Sequence, residues 1–418
     1  MSDLYNDLQW RGFVQQGTPG LEAHLASGKR TVYCGFDPTA PSMQVGNALP
    51  LMLLAHLQRG GHKPIVLMGG GTGLIGDPSG KSTERPLLPP EQIRENLQRQ
   101  RDQTARFLDF NPGPAAAMVL DNARWLVEAR LVDFLRDVGK HFTVNIMLQK
   151  ESVNARLASG LSYTEFSYML LQAYDFLVLH RKHQCTLQVG GSDQWGNITA
   201  GVDLIRRVEG AEAHAFVSPL ITTAAGKKFG KTEGGAVWLD PAMTSPYQFY
   251  QFWRNTADED VENYLKIFTF KTREEIADLM ERLKANPNAR EAQGALAKDM
   301  TIRVHGLAAA TSVITASSLL FTGFDPPSAD EAVFDVLAKE IPTFAFSKDG
   351  GLSLVDAVVI AGLATSRGEA RRAIEQGGIY VNQQRVESER PITPTDLLAK
   401  RNLLLRKGKK DYALLRAS

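Results

Sequence analysis

The first half of this 418-residue chain predicts a doubly wound parallel α/β sheet, followed by a helical domain and a small basic C-terminal unit. Three observations carry that prediction. From residue 31 to about 220, short apolar runs at 31–36, 64–68 and 186–189 alternate with longer helix-like stretches, each followed by glycine-rich punctuation. From 241 to about 321 the strand signals stop, and Thr256 with Glu259 and Thr272 with Glu275 read as two capping boxes. From Arg367 onward, twelve Lys and Arg face six Asp and Glu in the last 52 residues, a net +6 in a chain whose whole formal charge is +1. That asymmetry points to a polyanion near the C-terminus.

The length exceeds one typical core, and 43% hydrophobic content suffices for two or three domains. The expected division is 1–225 for the sheet domain, 226–322 for a glycine- and lysine-rich loop with the helical domain, 323–351 for a linker and 352–418 for the basic unit. The linker holds Pro326, Pro327, Pro342 and the Gly350-Gly351 pair, with room for a helix near 332–339. Two cysteines, Cys34 and Cys185, are too few for a disulfide framework or a thiolate zinc site, so no metal site is expected and reduced cytosol is the simplest home. The N-terminus lacks the apolar core of a signal peptide, and no uncharged apolar run is expected to reach membrane-spanning length, so no membrane partner is expected.

The first strand ends at Phe36-Asp37-Pro38-Thr39 and the chain enters a helix near Gly46-Asn47, where backbone amides favour an anion. Gly71-Thr72-Gly73-Leu74-Ile75-Gly76 matches the dinucleotide fingerprint and follows the apolar run 65–68. However, Asp77-Pro78 breaks the chain where a helix should cradle pyrophosphate, and Glu91 follows Leu87-Leu88-Pro89-Pro90 rather than a strand, which disfavours a nicotinamide or flavin enzyme. Gly76 to Ser82 resembles a Walker loop with three residues between its glycines instead of four. What survives there is a cation pair, Lys81 and Arg85, able to reach a phosphate or to face water.

On the helix predicted over 162–179, Tyr168, Gln172 and Asp175 at i, i+4 and i+7 share one face amid apolar neighbours. A phenol, an amide and a carboxylate make a directional hydrogen-bonding set, where a solvent strip would carry Lys and Glu, so this face suits a ligand pocket. Gly190 to Asn197 follows the strand 187–189 and places Asp193 and Gln194 at a strand's carboxyl end, where open α/β sheets bind ligands. A carboxylate there can accept two ribose hydroxyls; an ordinary turn capped by Ser192 accounts for the segment equally well. Gly226, Gly230, Gly234 and Gly235 make a pliable loop bearing Lys227, Lys228 and Lys231, which suits either a polyphosphate or a solvated turn.

Taken together the motifs resemble the bacterial tyrosyl-tRNA synthetases, which are class I aminoacyl-tRNA synthetases, over essentially the whole chain. Tyr33-Cys34-Gly35-Phe36-Asp37-Pro38-Thr39-Ala40, Gly73 to Ser79, Glu165-Phe166-Ser167-Tyr168, Gln172-Ala173-Tyr174-Asp175 and Gly190 to Thr199 stand in that family's order. The His-Ile-Gly-His signature is similar to Gln44-Val45-Gly46-Asn47, and the Lys-Met-Ser-Lys-Ser signature to Lys228-Phe229-Gly230-Lys231-Thr232. Gln44 departs from the usual histidine and implies weaker ATP or transition-state binding. The resemblance implies a Rossmann-like catalytic domain, an α-helical anticodon-recognition domain and an α+β RNA-binding domain of the type named for ribosomal protein S-four.

Residue by residue, the resemblance assigns the substrate phenol to Tyr33 and Asp175, the α-ammonium to Asp77, Tyr168 and Gln172, and the reacting carboxylate to the neighbourhood of Gln194. It assigns ATP to Cys34, Gly46, Asn47, Gly191, Asp193 and Lys231, with Cys34, Asn47 and Asp193 on the ribose. Thr39, Gln44, Lys81, Arg85, Lys228 and Lys231 surround the β and γ phosphates. Arg367, Arg371, Lys407, Lys409 and Lys410 are the implied RNA contacts. The implied reaction is attack of the tyrosine carboxylate on magnesium ATP, then transfer to tRNA, in a homodimer whose two-fold interface includes residues 134–145. A site built to hydrogen-bond a hydroxyl rejects the analogue lacking it, this enzyme family being the standing example. The rival reading is a non-catalytic RNA-binding protein on the same scaffold.

Overall fold

The computed structural model describes residues 4–79, 87–150, 153–154, 157, 160–226, 229–232, 235–321, 329–347 and 351–417. Its contacts divide the chain into two compact units, 1–244 with 252–304, and 245–251 with 305–418.

In the first unit, β1 (Gln16–Gly17), β2 (Thr31–Phe36), β3 (Lys63–Met68), β4 (Met118–Asp121), β5 (Cys185–Gly191) and β6 (His214–Ser218) form one sheet in the order β1-β6-β5-β2-β3-β4. All neighbours are parallel except β1 on β6. Val32, Ile65, Val66, Leu67, Leu187 and Val189 are all buried, the near-continuous apolar character of strands covered on both faces. The chain winds from β2 outward through β3 to β4, then returns to lay β5 against the other side of β2. The winding therefore reverses between β2 and β5, and at such a point the carboxyl ends of neighbouring strands diverge and leave a crevice.

Three helices frame the crevice: α1 (Ala48–Arg59), α2 (Tyr163–His183) and α3 (Trp195–Glu209). Met169 and Phe176 of α2 and Leu204 of α3 share a core with Tyr33, Ile65 and Leu67, while α1 packs along β2 and β3. Ser162 starts α2 by accepting a hydrogen bond from the Glu165 amide, and Gln184 ends it in the left-handed region at φ 52°. The predicted helix thus runs four residues further than the sequence suggests.

Part of the predicted helical domain belongs to this unit. Helix α4 (Asp258–Phe268) packs against α1, and the buried Arg11 guanidinium donates to the carbonyls of Lys266, Thr269 and Lys271. The Thr272–Glu275 capping box is present, but α4 is capped at Ala257 without a side-chain bond, so the expected Thr256 box does not form. Helix α5 (Glu291–Phe321) breaks at Gly306, whose φ of 85° is open to glycine alone at little cost. By length and composition the stretch 287–321 could cross a membrane, which corrects the expectation that no run approaches that length. Past the break, within the second unit, Ala310, Val313, Ala316 and Leu319 are fully buried at a spacing of three, the stripe of a helix packed on one side.

In the second unit the linker expected over 323–351 also needs correction. It contains α6 (Glu331–Glu340) and β9 (Thr343–Phe346), and β9 pairs parallel with the last strand of the C-terminal sheet. That sheet comprises β9, β10 (Ile379–Val381), β11 (Gln384–Val386), β12 (Asn402–Lys407) and β13 (Asp411–Ala417), in the order β11-β10-β12-β13-β9. Helices α7 (Leu354–Ile360) and α8 (Arg367–Glu375) bury Leu354, Val358, Ala370 and Ile374 against Ile379, Leu403, Leu405 and Leu415. The Glu331 carboxylate ties α6 to β12 by accepting from Asn402 Nδ2 at 2.8 Å and Arg401 Nε at 2.7 Å. Proline content points to a connector because Pro342 marks a turn, while the pairing of β9 with β13 joins segments far apart in the chain.

Candidate active site

A cavity of about 370 Å3 opens between the carboxyl ends of β2 and β5. Tyr33, Asp77, Tyr168, Gln172, Asp175 and Gln194, the six residues expected at an amino acid, all line it. Asp175 is 2% exposed, and its carboxylate accepts from Trp125 Nε1 at 2.7 Å and Asn122 Nδ2 at 2.9 Å. Burial, reinforced by Asp37 and Asp121, pushes its pKa up to about 8 against those two donors. The Tyr33 hydroxyl is enclosed and has no hydrogen-bond partner among the described residues, and burial together with the Asp175 charge raises its pKa well above the phenolic value. An acid and a phenol thus face one cavity, each able to bond a hydroxyl placed between them.

The polar groups a few residues away form an acceptor-rich cluster. Tyr168 donates its hydroxyl to Asp37 Oδ2 at 2.9 Å, and Thr72 Oγ1 donates to Asp37 Oδ1 at 2.7 Å. Asp77 accepts from the Ser79 amide at 2.9 Å and from Gln194 Nε2 at 2.6 Å. Asn197 Nδ2 lies within 3.4 Å of Asp77 Oδ1, Ser79 Oγ, Gln172 Oε1 and Gln194 Oε1. Asn197 shares its two N–H groups among these oxygens, and with the Asp37 and Asp77 carboxylates beside Gln172 Oε1 and Gln194 Oε1 the wall is rich in acceptors, a surface that suits an ammonium.

Sequence reasoning missed Asn122, Trp125, Asp37 and Asn197 as site residues. Asn122 is 1% exposed and joins two elements, accepting from the Gly71 amide at 2.8 Å while its amide nitrogen donates to Thr72 Oγ1 and Asp175. No local pattern marks such a residue, because its partners are about 50 positions away in the chain. Asp37 and Asn197 lie inside the 33–40 and 190–199 motifs, as polar residues after a strand end and in the first turn of a helix.

On the side of the cleft where ATP is expected, Cys34, Thr39, Gln44, Asn47 and Gly191 line the cavity, while Gly46, Asp193 and Lys231 do not. The Gln44 amide donates to Asn47 Oδ1 at 2.8 Å, which fixes the turn Val45–Asn47 ahead of α1. A Cβ on Gly191 would stand 2.6 Å from Asp193 Oδ1, so the carboxylate occupies the space a side chain there would fill. Burial pushes the Cys34 thiol up to about 12, with the Asp193 charge adding to it, so Cys34 remains a neutral thiol.

The glycine–lysine loop reaches this side through backbone pairing. A two-stranded ribbon of β7 (Lys231–Thr232) and β8 (Gly235–Ala236) continues into a segment that pairs with residues 43–45. The Val45 amide donates to Val237 O at 2.8 Å and the Leu239 amide to Met43 O at 2.9 Å. Gly230, at φ 80°, abuts this turn so closely that a Cβ would stand 2.8 Å from Val45 Cγ1. Phe229 anchors the loop in a cage of Phe252, Trp253, Tyr264 and Phe268, the last stacked at 5.3 Å. Lys231 is exposed at the start of the ribbon. Lys81, Arg85 and Lys228 lie outside the described residues.

In the C-terminal unit, Arg367 and Arg371 sit on α8, and Lys407 at the end of β12 donates to Glu369 of α8 at 2.8 Å. Arg367 is paired with Asp356 at 2.7 Å and Arg371 with Glu389 at 3.2 Å. Lys409 and Lys410 are exposed in the turn after Gly408.

A crevice at the reversal of a parallel sheet, flanked by glycine-rich turns, is where open α/β folds bind nucleotides, and the comparisons identify it as the cleft of a class I synthetase. Residues 26–322 match the model of tRNA synthetases class I (W and Y), and residues 334–415 match the tyrosine–tRNA ligase SYY-like C-terminal domain. A tyrosine–tRNA ligase of Anaeromyxobacter dehalogenans is 53% identical over the whole of both chains, and one of Bacillus velezensis is 47% identical over 99% of this chain and 100% of its own. A C-terminally truncated mitochondrial tyrosyl-tRNA synthetase of Aspergillus nidulans superimposes with a TM-score of 0.71 at 31% identity, covering 77% of this chain and 95% of that one. The chain belongs to the tyrosine–tRNA ligase family.

Proposed function

We propose that the cleft activates L-tyrosine with ATP and passes it to tRNA, with Tyr33 and Asp175 reading the phenol and Asp77, Tyr168 and Gln172 holding the ammonium. The observation that carries this reading is the pair of buried groups, an unpartnered Tyr33 hydroxyl and a doubly anchored Asp175 carboxylate, on one cavity. The tyrosine carboxylate attacks the α-phosphorus, the bond from that phosphorus to the bridging oxygen breaks, and pyrophosphate leaves. A terminal ribose hydroxyl of tRNA then attacks the mixed anhydride and releases AMP. The carboxylate is already a nucleophile at neutral pH, so the protein contributes alignment and compensation of charge. Magnesium enters with the nucleotide as part of the substrate.

On this reading Gln194 lies beside the reacting carboxylate, while Cys34, Gly46, Asn47, Gly191 and Asp193 receive the adenosine. Thr39, Gln44, Lys81, Arg85, Lys228 and Lys231 neutralise the departing diphosphate, the lysines arriving as the loop closes. Arg367, Arg371, Lys407, Lys409 and Lys410 contact tRNA phosphates. A homodimer is supported by exposed apolar side chains at Val127, Leu131, Val132, Leu135, Val144 and Ile146. The setting is the cytoplasm, where tRNA and ATP are found together. Tyrosine-dependent exchange of labelled pyrophosphate into ATP is the expected activity, followed by charging of tRNA. A protein that binds RNA but shows no exchange would instead be a non-catalytic RNA-binding protein.

A further inference from the structure

At the end of α1 away from the cleft, two arginines close on one ring. Arg59 is the last residue of α1, a helix of 12 residues and so roughly 18 Å long, and its guanidinium carbon stands 4.3 Å from the centroid of Phe270, two residues past α4. Arg303, on α5 just ahead of the break at Gly306, stands 4.4 Å from the same centroid. Neither lines the cleft. Neither makes an ion pair or a hydrogen bond with any described residue, and Arg303 Nε is enclosed without a partner among them. Asp299, whose charge acts on Arg303, is itself paired with Lys271 at 3.2 Å. Burial lowers the Arg303 pKa from its ordinary value, the Asp299 charge opposing that shift and the Arg59 charge adding to it. His56 meets Phe270 edge-on at 4.9 Å; burial, with the charges of Arg11, Arg59 and Arg303 adding, lowers its pKa to about 3, so near pH 7 it is neutral and brings no counterion.

Attraction to the ring face and the negative end of the α1 dipole each account for one cation here. They do not account for two like charges on one ring, Arg59 exposed and Arg303 half-buried, each with five N–H donors and no acceptor. An anion reached by both guanidiniums removes the repulsion and supplies the acceptors, and the planar fork of arginine matches phosphate oxygens two at a time. We propose that Arg59 and Arg303, held against Phe270, form a phosphate-binding site separate from the cleft and from the basic C-terminal unit, occupied by a backbone phosphate of RNA or by a free phosphate ion. The site stands whether or not tyrosine is the substrate of the cleft, because it shares no residue with it.

The test melts the full chain, Arg59→Gln, and the double change Arg59→Gln with Arg303→Gln, each in inorganic phosphate and in sodium chloride of equal ionic strength. At about ten times the dissociation constant, phosphate should raise the Tm of the natural protein by about 2–4 °C more than that of the double variant, with Arg59→Gln in between. Phosphate bound in the cleft or at the C-terminal unit contributes alike to all three and cancels. Binding of tRNA measured against salt separates the two sources: for an RNA phosphate the slope of log affinity on log salt should become shallower by about one in the double variant, and for a free ion it should not change. Equal phosphate gains in all three proteins together with an unaltered salt slope overturn the proposal. If the double variant fails to fold, Arg59→Gln, at its exposed position, decides by the same two readings.

Discussion

At the end of the cleft proposed for tyrosine the polar groups are held by other side chains, Asp175 by Asn122 and Trp125 and Tyr168 by Asp37, whereas in the loop proposed to meet the phosphates Gly230 and Lys231 are held by backbone pairing and one buried ring. The first arrangement fixes hydrogen-bond directions before substrate arrives, which is what discrimination between near-identical rings requires. The second leaves Lys231 on a glycine-hinged ribbon, which suits charge that appears only as a diphosphate departs. Rigid reading and late neutralisation make opposite demands, and the fold separates them along one crevice.

The largest expected effect breaks the rigid end. Asp175→Asn removes the phenol's carboxylate acceptor and should lower kcat/KM for tyrosine by ~10²-fold or more above pH 8, where Asp175 is ionised and the lost hydrogen bond is charge-assisted. Stability should move the other way. Folded Asp175 titrates near 8 because of burial, against 3.8 for an ordinary aspartate, so between those values the native state holds the extra proton. Native stability contributed by this group therefore falls as pH rises through that window, and the variant, which cannot ionise, gains on the natural protein from pH 4 to pH 8. Urea unfolding of both proteins at pH 5 and pH 8 checks this; parallel curves would show that Asp175 is solvated more than its burial implies.

A smaller effect sharpens the pliable end. At Gly230 a methyl would meet Val45 Cγ1 at 2.8 Å in a backbone conformation with φ 80°, so Gly230→Ala must shift the loop away from the Gln44 turn. The expected cost is about 1–2 kcal/mol of stability and about tenfold in kcat, with KM for tyrosine within about twofold because the rigid end is untouched. A rise in the tyrosine KM comparable to the fall in kcat would mean that the two ends are mechanically joined.

The two ends also differ in how far the sequence revealed them. Strand rhythm placed β2, β3 and β5, and the helical spacing of Tyr168, Gln172 and Asp175 put all three on one cavity, because short-range periodicity determines which face a side chain takes. Asn122 and Trp125 escaped notice since their bonds to Asp175 reach across about 50 residues of chain. The Thr256 box failed for a local reason: the helix begins one residue later, and Thr256 is buried instead of capping. The strand Thr343–Phe346 was hidden by prolines that mark its turn, and its pairing with β13 became visible only in the folded register.

The smallest effect concerns the basic surface of the C-terminal unit, which belongs to neither end. Arg367 and Arg371 are exposed but each already meets a carboxylate, Asp356 at 2.7 Å and Glu389 at 3.2 Å, so part of their charge is neutralised before any RNA arrives. Exposed cations act on phosphate largely through counterion release, with screening over about 8 Å at physiological salt. The double change Arg367→Ala and Arg371→Ala should therefore raise KM for tRNA by roughly threefold to tenfold at low salt and by less at about 0.15 M. Pyrophosphate exchange should be unaltered, since that step involves no RNA. If exchange fell as well, the C-terminal unit would be supporting the cleft; if KM for tRNA stayed constant at every salt concentration, the RNA contact would lie with Lys407, Lys409 and Lys410 instead.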